Sequence, residues 1–222
     1  MAEFISQYGA LLWEATLQTL YMTFFATLLA YVLGLAFGVL LTVTKPGGIA
    51  PAPRFHAVFG WVINMLRSMP FIILVFFLIP FTRAIVGTSI GETAALVPLV
   101  VAASPFVARM AEQSLEEIDQ GVIEAAACMG ATKWQIITRV LITESVPSLV
   151  RGFSIVLITI LGYTAITGAT GAGGLGNIAY RFGYQRYQTG VMYATIVILM
   201  LLVCIIQGIF NFISRRADKR NR

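Results

Sequence analysis

Long apolar segments alternate with short polar ones along this chain. Each of five apolar segments contains at most one charged residue; they are 16–43, 55–81, 93–110, 146–167 and 191–213. A helix needs about 20 apolar residues to cross roughly 30 Å of hydrocarbon. The pattern therefore predicts an all-α integral membrane protein, a single domain over residues 1–222 with about five transmembrane helices.

Proline and glycine interrupt this pattern at defined places. The connection 45–54 reads KPGGIAPAPR and is expected to end the first helix. Arg67 and Pro70 interrupt the second segment, and Pro98 and Pro105 lie inside the third. Prolines inside a membrane helix free carbonyl groups, so we expect neighbouring helices or water to satisfy them.

Composition and charge agree with a membrane protein. Of 222 residues, 58% are hydrophobic and only 11% are charged, against about a quarter charged in soluble domains. The net charge of +5 reflects basic residues beside the apolar segments, which favours membrane orientation over nucleic-acid binding. With a cytoplasmic C-terminus, eleven Lys and Arg residues lie inside and three outside, which predicts an external N-terminus. The chain has one histidine and two cysteines that lie far apart in the sequence. We therefore expect neither a disulfide framework nor a metal site.

The longest internal polar segment is 114–147, SLEEIDQGVIEAAACMGATKWQIITRVLITESVP. Its periodicity predicts two short amphipathic helices separated at Gly130, where a glycine permits a sharp turn. The expected apolar stripes are Val122, Ile123, Ala126 and Met129 in the first helix, and Trp134, Ile137, Val140 and Leu141 in the second. The pattern alone is also compatible with a hairpin resting on lipid headgroups.

Within this segment, EAAACMGATKWQIITRVLI resembles the EAA loop of permease subunits of bacterial ABC importers. In that family the loop forms a coupling helix that docks into a cleft on a cytoplasmic ATPase subunit. The resemblance assigns ATPase coupling to Glu124, Ala125, Ala126, Met129, Gly130, Ala131 and Gln135. This chain departs from the family in two places, since Asp119 and Thr143 stand where prolines are usual.

The resemblance extends over roughly residues 14–216. Two further segments carry it: RSMPFIILVFFLIPFTRAIVGTSIG at 67–91 and YTAITGATGAGGLGNIAYRFGY at 163–184. Both are most similar to permeases of methionine-type importers. The resemblance implies a permease homodimer in the bacterial cytoplasmic membrane, with two ATPase subunits and an external binding protein or lipoprotein. It also implies that ATP and Mg²⁺ are bound by the ATPase and that this chain binds no cofactor. The sequence contains no GxxxxGK[ST] phosphate-binding loop, and no catalytic constellation indicates an enzyme.

Two other transport functions remain open from the residues. One is an importer of another amino acid or small solute. The other is an ion-coupled secondary transporter, which typically places acidic residues inside its spans. None of the five apolar segments contains Asp or Glu, which disfavours the second alternative.

Candidate pathway residues cluster around the charge inside the second segment. A charged residue at a helix centre costs about 2.5–3.5 kcal/mol on insertion scales, so Arg67 is expected either to serve the pathway or to reach carbonyls or headgroups. The pathway hypothesis comprises Arg67, Ser68, Met69, Pro70 and Tyr163. A GxxxG pair, Gly34 and Gly38, predicts close helix packing, within the chain or across a dimer.

The last candidate is a glycine-rich connection, GATGAGGLG, at residues 168–176. No acidic residue follows at the position that a dinucleotide-binding fold requires, so we interpret it as a flexible outer connection at the external mouth. Nearby tyrosines, Tyr180 and Tyr184, fit a membrane interface or contact with a binding protein. The candidate outer-contact residues are Gly171, Gly173, Gly174 and Gly176.

Overall fold

A computed structural model describes residues 2–217, which form ten α-helices. The helices are α1 Ala2–Thr44, α2 Pro53–Ser68, α3 Phe71–Phe77, α4 Ile79–Val86, α5 Glu92–Glu116, α6 Gln120–Cys128, α7 Lys133–Gln135, α8 Ile142–Thr167, α9 Gly174–Ile178 and α10 Thr189–Ala217. A π-helical segment joins α7 to α8, a second follows α8 and a third follows α9. The described residues contain no β-strand, so the predicted all-α fold is confirmed.

Four helices are long and apolar enough to cross a membrane: α1, α5, α10 and the helical stretch Lys133–Ala172 that contains α7 and α8. The fifth expected span is broken. Helices α2 and α3 meet at an angle of 103°, because Pro70 disfavours helical geometry at the preceding residue; Met69 accordingly has φ −75° and ψ 128°. The segment 55–81, which Arg67 and Pro70 were expected to interrupt, is thus divided into two helices at Pro70.

Helices α1 and α5 form the central packed pair. A Cβ atom added to Gly34 would lie 2.6 Å from Val107 Cγ1, and one added to Gly38 would lie 2.6 Å from Ala111 Cβ. Both distances are far below van der Waals contact, so only glycine permits this approach. The GxxxG pair is thus a packing seam inside the chain, one of the two alternatives that the sequence left open.

The apolar core lies where α1, α5 and α8 meet. Its fully buried side chains include Met22, Leu99, Val107 and Ile160. By contrast, only 11% of the residues in the most apolar 18-residue stretch of α10 are buried, although the mean hydropathy of that stretch is 2.6. An apolar helix with so little protein contact presents its surface to lipid in a membrane-spanning chain.

A buried charge network fastens α2 to α5. The Arg109 guanidinium donates hydrogen bonds to Glu112 Oε2 at 2.7 Å, to the Gly60 carbonyl at 2.9 Å and to Asn64 Oδ1 at 3.1 Å. The Glu112 side chain is 9% exposed. Since an uncompensated buried charge is costly, each partner in this network depends on the others.

Candidate transport pathway and coupling surface

Helix α6 begins at a side-chain cap supplied by Asp119. Its carboxylate Oδ1 accepts a hydrogen bond from the Gly121 backbone N–H at 2.6 Å. A capping side chain satisfies a backbone N–H that has no partner within the helix and is worth about 0.5–2 kcal/mol. Asp119 thus starts the helix here by hydrogen bonding, at the position where the resembling family usually has proline.

Gly130 ends α6 in a left-handed conformation. It has φ +82°; its N–H donates to the Ala127 carbonyl at 3.0 Å, and the Ala131 N–H donates to the Ala126 carbonyl at 3.1 Å. These two bonds form a Schellman motif, for which glycine is favoured. No described atom other than its chain neighbours lies within 4 Å of a Cβ placed at Gly130. The turn is therefore tight in its backbone and open on its outer side.

The chain then enters α7 through a reciprocal cap. The Thr132 N–H donates to Gln135 Oε1 at 2.8 Å, and the Gln135 N–H donates to Thr132 Oγ1 at 3.3 Å. This capping box satisfies two N–H groups at the start of a helix. The Gln135 side chain, expected to take part in ATPase coupling, is exposed but already serves this cap.

The second predicted short helix is not a separate element. From α7 the helix continues through the π-helical segment Ile136–Leu141 into α8. The helical stretch Lys133–Ala172 spans 40 residues and is kinked only near its end, at Gly171, which has φ +102°. Pro147 lies inside α8 without ending it. A displacement at α7 therefore acts directly on a membrane-spanning helix.

The α6–α7 hairpin exposes apolar side chains in a polar part of the sequence. Met129 is 82% exposed and Trp134 is 71% exposed; each was placed on an apolar stripe of the hairpin, and Met129 was also a predicted coupling residue. Ala126, on the same stripe as Met129, is buried. Glu124 and Ala125 are also exposed. We call Glu124, Ala125, Met129, Gly130 and Trp134 the hairpin surface. Trp134 was not among the predicted coupling residues.

A cavity of about 210 Å³ lies behind α6. Ile123 and Glu124 of α6 line it together with Leu115 at the end of α5. On its border, Lys45 Nζ lies 2.6 Å from Glu116 Oε1 in a partly exposed ion pair. Helix α6 is therefore not packed tightly on its inner side, which leaves space for it to move.

A second cavity, of about 240 Å³, lies where α2 breaks from α3. Three of the predicted pathway residues line it: Arg67, Met69 and Tyr163. The other two, Ser68 and Pro70, are exposed next to it but are not among its lining residues. The remaining lining residues are Leu66, Phe71, Leu74, Ala102, Phe106 and Thr159.

The wall of this cavity is aromatic. The Phe71 and Tyr163 rings stack with centroids 4.2 Å apart and planes 12° apart. Arg67 lies thirteen residues after Arg54, which is about 20 Å along a helix that rises about 1.5 Å per residue. The cavity therefore lies at the opposite end of α2 from Arg54.

The glycine-rich connection is packed rather than flexible. A Cβ atom added to Gly176 would lie 2.6 Å from Ala165 Cα, and one added to Gly168 would lie 2.6 Å from the Asn177 nitrogen. Gly174 and Gly176 are buried, and Gly171 and Gly173 are partly buried. The interpretation of this segment as a flexible connection is therefore wrong: its glycines allow α9 to fold back against the end of α8.

Polar side chains of α1 hold the start of α9. Gln18 Oε1 accepts a hydrogen bond from the Gly174 N–H at 2.8 Å, and Thr19 Oγ1 accepts one from the Leu175 N–H at 2.9 Å. Sequence reasoning missed both residues. The available signal was their position as polar residues inside an otherwise apolar span.

The surface after α9 is aromatic and basic. Tyr184 and Tyr187 are exposed, and Tyr187 has an unusual positive φ of 55°. The Arg186 guanidinium lies 4.8 Å from the centre of the Phe182 ring. The turn next to the glycines therefore exposes aromatic and basic side chains; contact of the glycines themselves with a binding protein stays a prediction.

The structure combines a broken apolar span beside an internal cavity with an exposed hairpin that is continuous with another span. This arrangement is compatible with a membrane transport permease. The family model described as "Binding-protein-dependent transport system inner membrane component" matches residues 34–219. The chain belongs to this family, and it is a permease subunit of the ABC importer type.

Individual relatives are similar over nearly the whole chain. The "Probable D-methionine transport system permease protein MetI" of Pasteurella multocida is 45% identical, covering 94% of this chain and 98% of the relative. The "Methionine import system permease protein MetP" of Bacillus subtilis is 46% identical, with 94% of each chain covered. An inward-facing crystal structure of the MetNI methionine ABC transporter matches with a TM-score of 0.94 and 47% identity, covering 96% of this chain and 99% of that one.

Proposed function

We propose that this chain is the permease subunit of an ATP-driven importer that carries methionine across the bacterial cytoplasmic membrane. Support comes from the methionine permeases of Pasteurella multocida and Bacillus subtilis, which are similar over more than nine-tenths of the chain. The match to an inward-facing methionine transporter supports the same conformation for this structure. Two copies of the chain would form the translocation unit.

The hairpin surface would dock on a separate cytoplasmic ATPase, which would bind ATP and Mg²⁺. The observation that carries this proposal is the exposure of Met129 and Trp134 on a hairpin continuous with a 40-residue helix. Exposed apolar side chains that cluster on one surface mark sites of protein contact. This chain would itself bind no nucleotide and hydrolyse none.

Movement of the hairpin would change the membrane helices. ATP-driven closure of the two ATPase subunits would displace α6, and the cavity behind it provides room for this displacement. Because α7 is continuous with α8, the displacement would reach Tyr163 at the inner cavity. The permease would then alternate between inward-facing and outward-facing arrangements, driven by ligand binding on its partner.

The solute pathway would pass the cavity at the α2–α3 break, with Arg67, Met69 and Tyr163 in its lining and Ser68 and Pro70 at its edge. The distribution of Lys and Arg supports an external N-terminus and a cytoplasmic hairpin. An external binding protein would deliver methionine to the outer face, where Gly171 and Gly173 are partly buried next to the exposed tyrosines.

The test is reconstitution of the chain in lipid vesicles with its ATPase and binding protein. We expect ATP-dependent accumulation of methionine, and ATPase stimulation by the methionine-loaded binding protein that exceeds stimulation by other amino acids. The ATPase should co-purify with the permease. Accumulation without any ATPase, or preference for an unrelated solute, would contradict the proposal.

A further inference from the structure

The cavity at the α2–α3 break combines one cation with an apolar, aromatic lining. Arg67 is the only charged residue among those that line it, and the described lining contains no acidic side chain. The other members are apolar or aromatic, apart from Thr159. The Thr159 hydroxyl donates to the Ile155 carbonyl of its own helix at 2.8 Å, so its hydrogen is already used.

The Arg67 side chain has no hydrogen-bond or ion-pair partner among the groups that the structure describes, and it is exposed beside the cavity. In contrast, the Arg109 guanidinium on α5 is satisfied by three acceptors. The donors of Arg67 are therefore available to a bound solute. The five N–H donors of an arginine match a carboxylate, which a guanidinium binds with two parallel hydrogen bonds.

The same end of α2 offers groups for a positive charge. The last four carbonyl groups of a helix lack partners within the helix and carry its partial negative charge. At the end of α2 the Met65 carbonyl accepts a hydrogen bond from the Ser68 hydroxyl at 2.7 Å, and the Leu66 carbonyl accepts one from the Met69 N–H at 3.4 Å. The carbonyl oxygens of Arg67 and Ser68 remain as acceptors, and Arg67 lies in the same last turn. A molecule with adjacent carboxylate and ammonium groups is complementary to both.

The geometry points to a binding subsite for an α-amino acid with an apolar side chain. Arg67 binds the carboxylate, the carbonyl groups at the end of α2 face the ammonium, and the solute's side chain lies against the Phe71–Tyr163 stack. This assignment rests on the proposed function and adds a defined point on the pathway where solute is held. The permease would therefore contribute its own selectivity for zwitterions, separate from that of a binding protein.

The test measures protection of a thiol in the cavity by added solute. Met69→Cys is introduced into a chain in which the exposed Cys128 and Cys204 are replaced by serine. The purified permease–ATPase complex, without binding protein, is labelled with a maleimide in the presence of L-methionine or of methioninol, which lacks the carboxylate. We expect methionine to protect the thiol from labelling at a concentration about tenfold or more below the concentration of methioninol that gives the same protection. A tenfold difference is the scale expected for the loss of one charge-assisted hydrogen bond.

Two variants complete the design. Arg67→Gln should remove the difference between methionine and methioninol. Arg83→Gln should preserve it, because Arg83 is an exposed arginine bonded to Ser89 and is not among the residues lining this cavity. Equal protection by both compounds, protection that persists in Arg67→Gln, or a thiol that the maleimide never reaches would each overturn the assignment.

Failure of this inference can be separated from failure of the proposed function. ATP-driven methionine uptake by the unaltered complex tests the function, whether or not the thiol is protected. Uptake without Arg67-dependent protection rejects only the subsite. Absence of methionine uptake rejects the function itself.

Discussion

The sharpest test of the hairpin surface compares two glycines with the same backbone strain. Gly130 has φ +82° and Gly87 has φ +83°, and neither has an atom within 4 Å of an added Cβ. Both follow the last turn of a helix, α6 and α4 respectively. The Cβ atom of a replacement residue therefore meets no clash at either position.

The backbone strain is the same in both variants. A non-glycine residue in the left-handed region costs about 1–2 kcal/mol, so Gly130→Trp and Gly87→Trp should lower stability similarly. The variants differ only in location, since Gly130 is part of the hairpin surface. If that surface docks on an ATPase, an indole at position 130 occupies space that the ATPase needs.

Reconstituted complexes provide the assay. We expect Gly130→Trp to reduce ATP-driven uptake and ATPase co-purification at least about tenfold, equivalent to about 1.4 kcal/mol or more of lost docking energy. Gly87→Trp should keep co-purification within about twofold of the unaltered chain, a loss of about 0.4 kcal/mol on the same scale. The unfolding temperature should fall by the same amount in both variants, because the backbone strain is the same. Normal uptake by Gly130→Trp, or equal loss of co-purification in both variants, would refute the reasoning.

Three further predictions concern stability. Gly38→Leu should overpack the α1–α5 seam and lower the unfolding temperature, at a cost of about 1–3 kcal/mol, whereas Gly162→Leu, at an open site, should not. Glu112→Ala should lower the free energy of unfolding by about 3–5 kcal/mol, because it leaves a charge in the α2–α5 network unpaired. Glu116→Ala, in a partly exposed ion pair, should lower it by at most about 1 kcal/mol. Denaturation of the purified variants measures both changes. Asp119→Ala should remove the cap of α6 and destabilise the start of this helix by about 0.5–2 kcal/mol. We expect faster amide hydrogen exchange that is confined to the first turn of α6.

Hydropathy located the membrane helices but not their breaks and joins. Apolar segments predict helices reliably because lipid offers no hydrogen bonds to the backbone. Pro70 was identified as an interruption of the second segment, but the size of the bend, 103°, was not predicted. Pro147, the last residue of the predicted polar segment, lies within α8, and the hairpin is fused to a span.

The candidate sites were predicted unevenly. Gly130 was identified correctly as the turn of the hairpin, since its role depends on local backbone geometry. Trp134 was placed on an apolar stripe but was not named as a coupling residue, because spacing alone does not tell which neighbour such a stripe contacts. The glycines at 171–176 were interpreted as flexible, but a sequence does not distinguish glycine that permits motion from glycine that permits close packing.

The sequence alone determined that the chain is a helical membrane protein, where its apolar segments lie and which family its hairpin resembles. These properties follow from composition and local spacing, so neighbouring residues are sufficient to define them. The tertiary structure decided which glycines pack and which remain open, and it brought Arg67 and Tyr163 to one cavity. Residues distant in sequence meet only through helix packing, and local patterns do not encode the outcome of that packing.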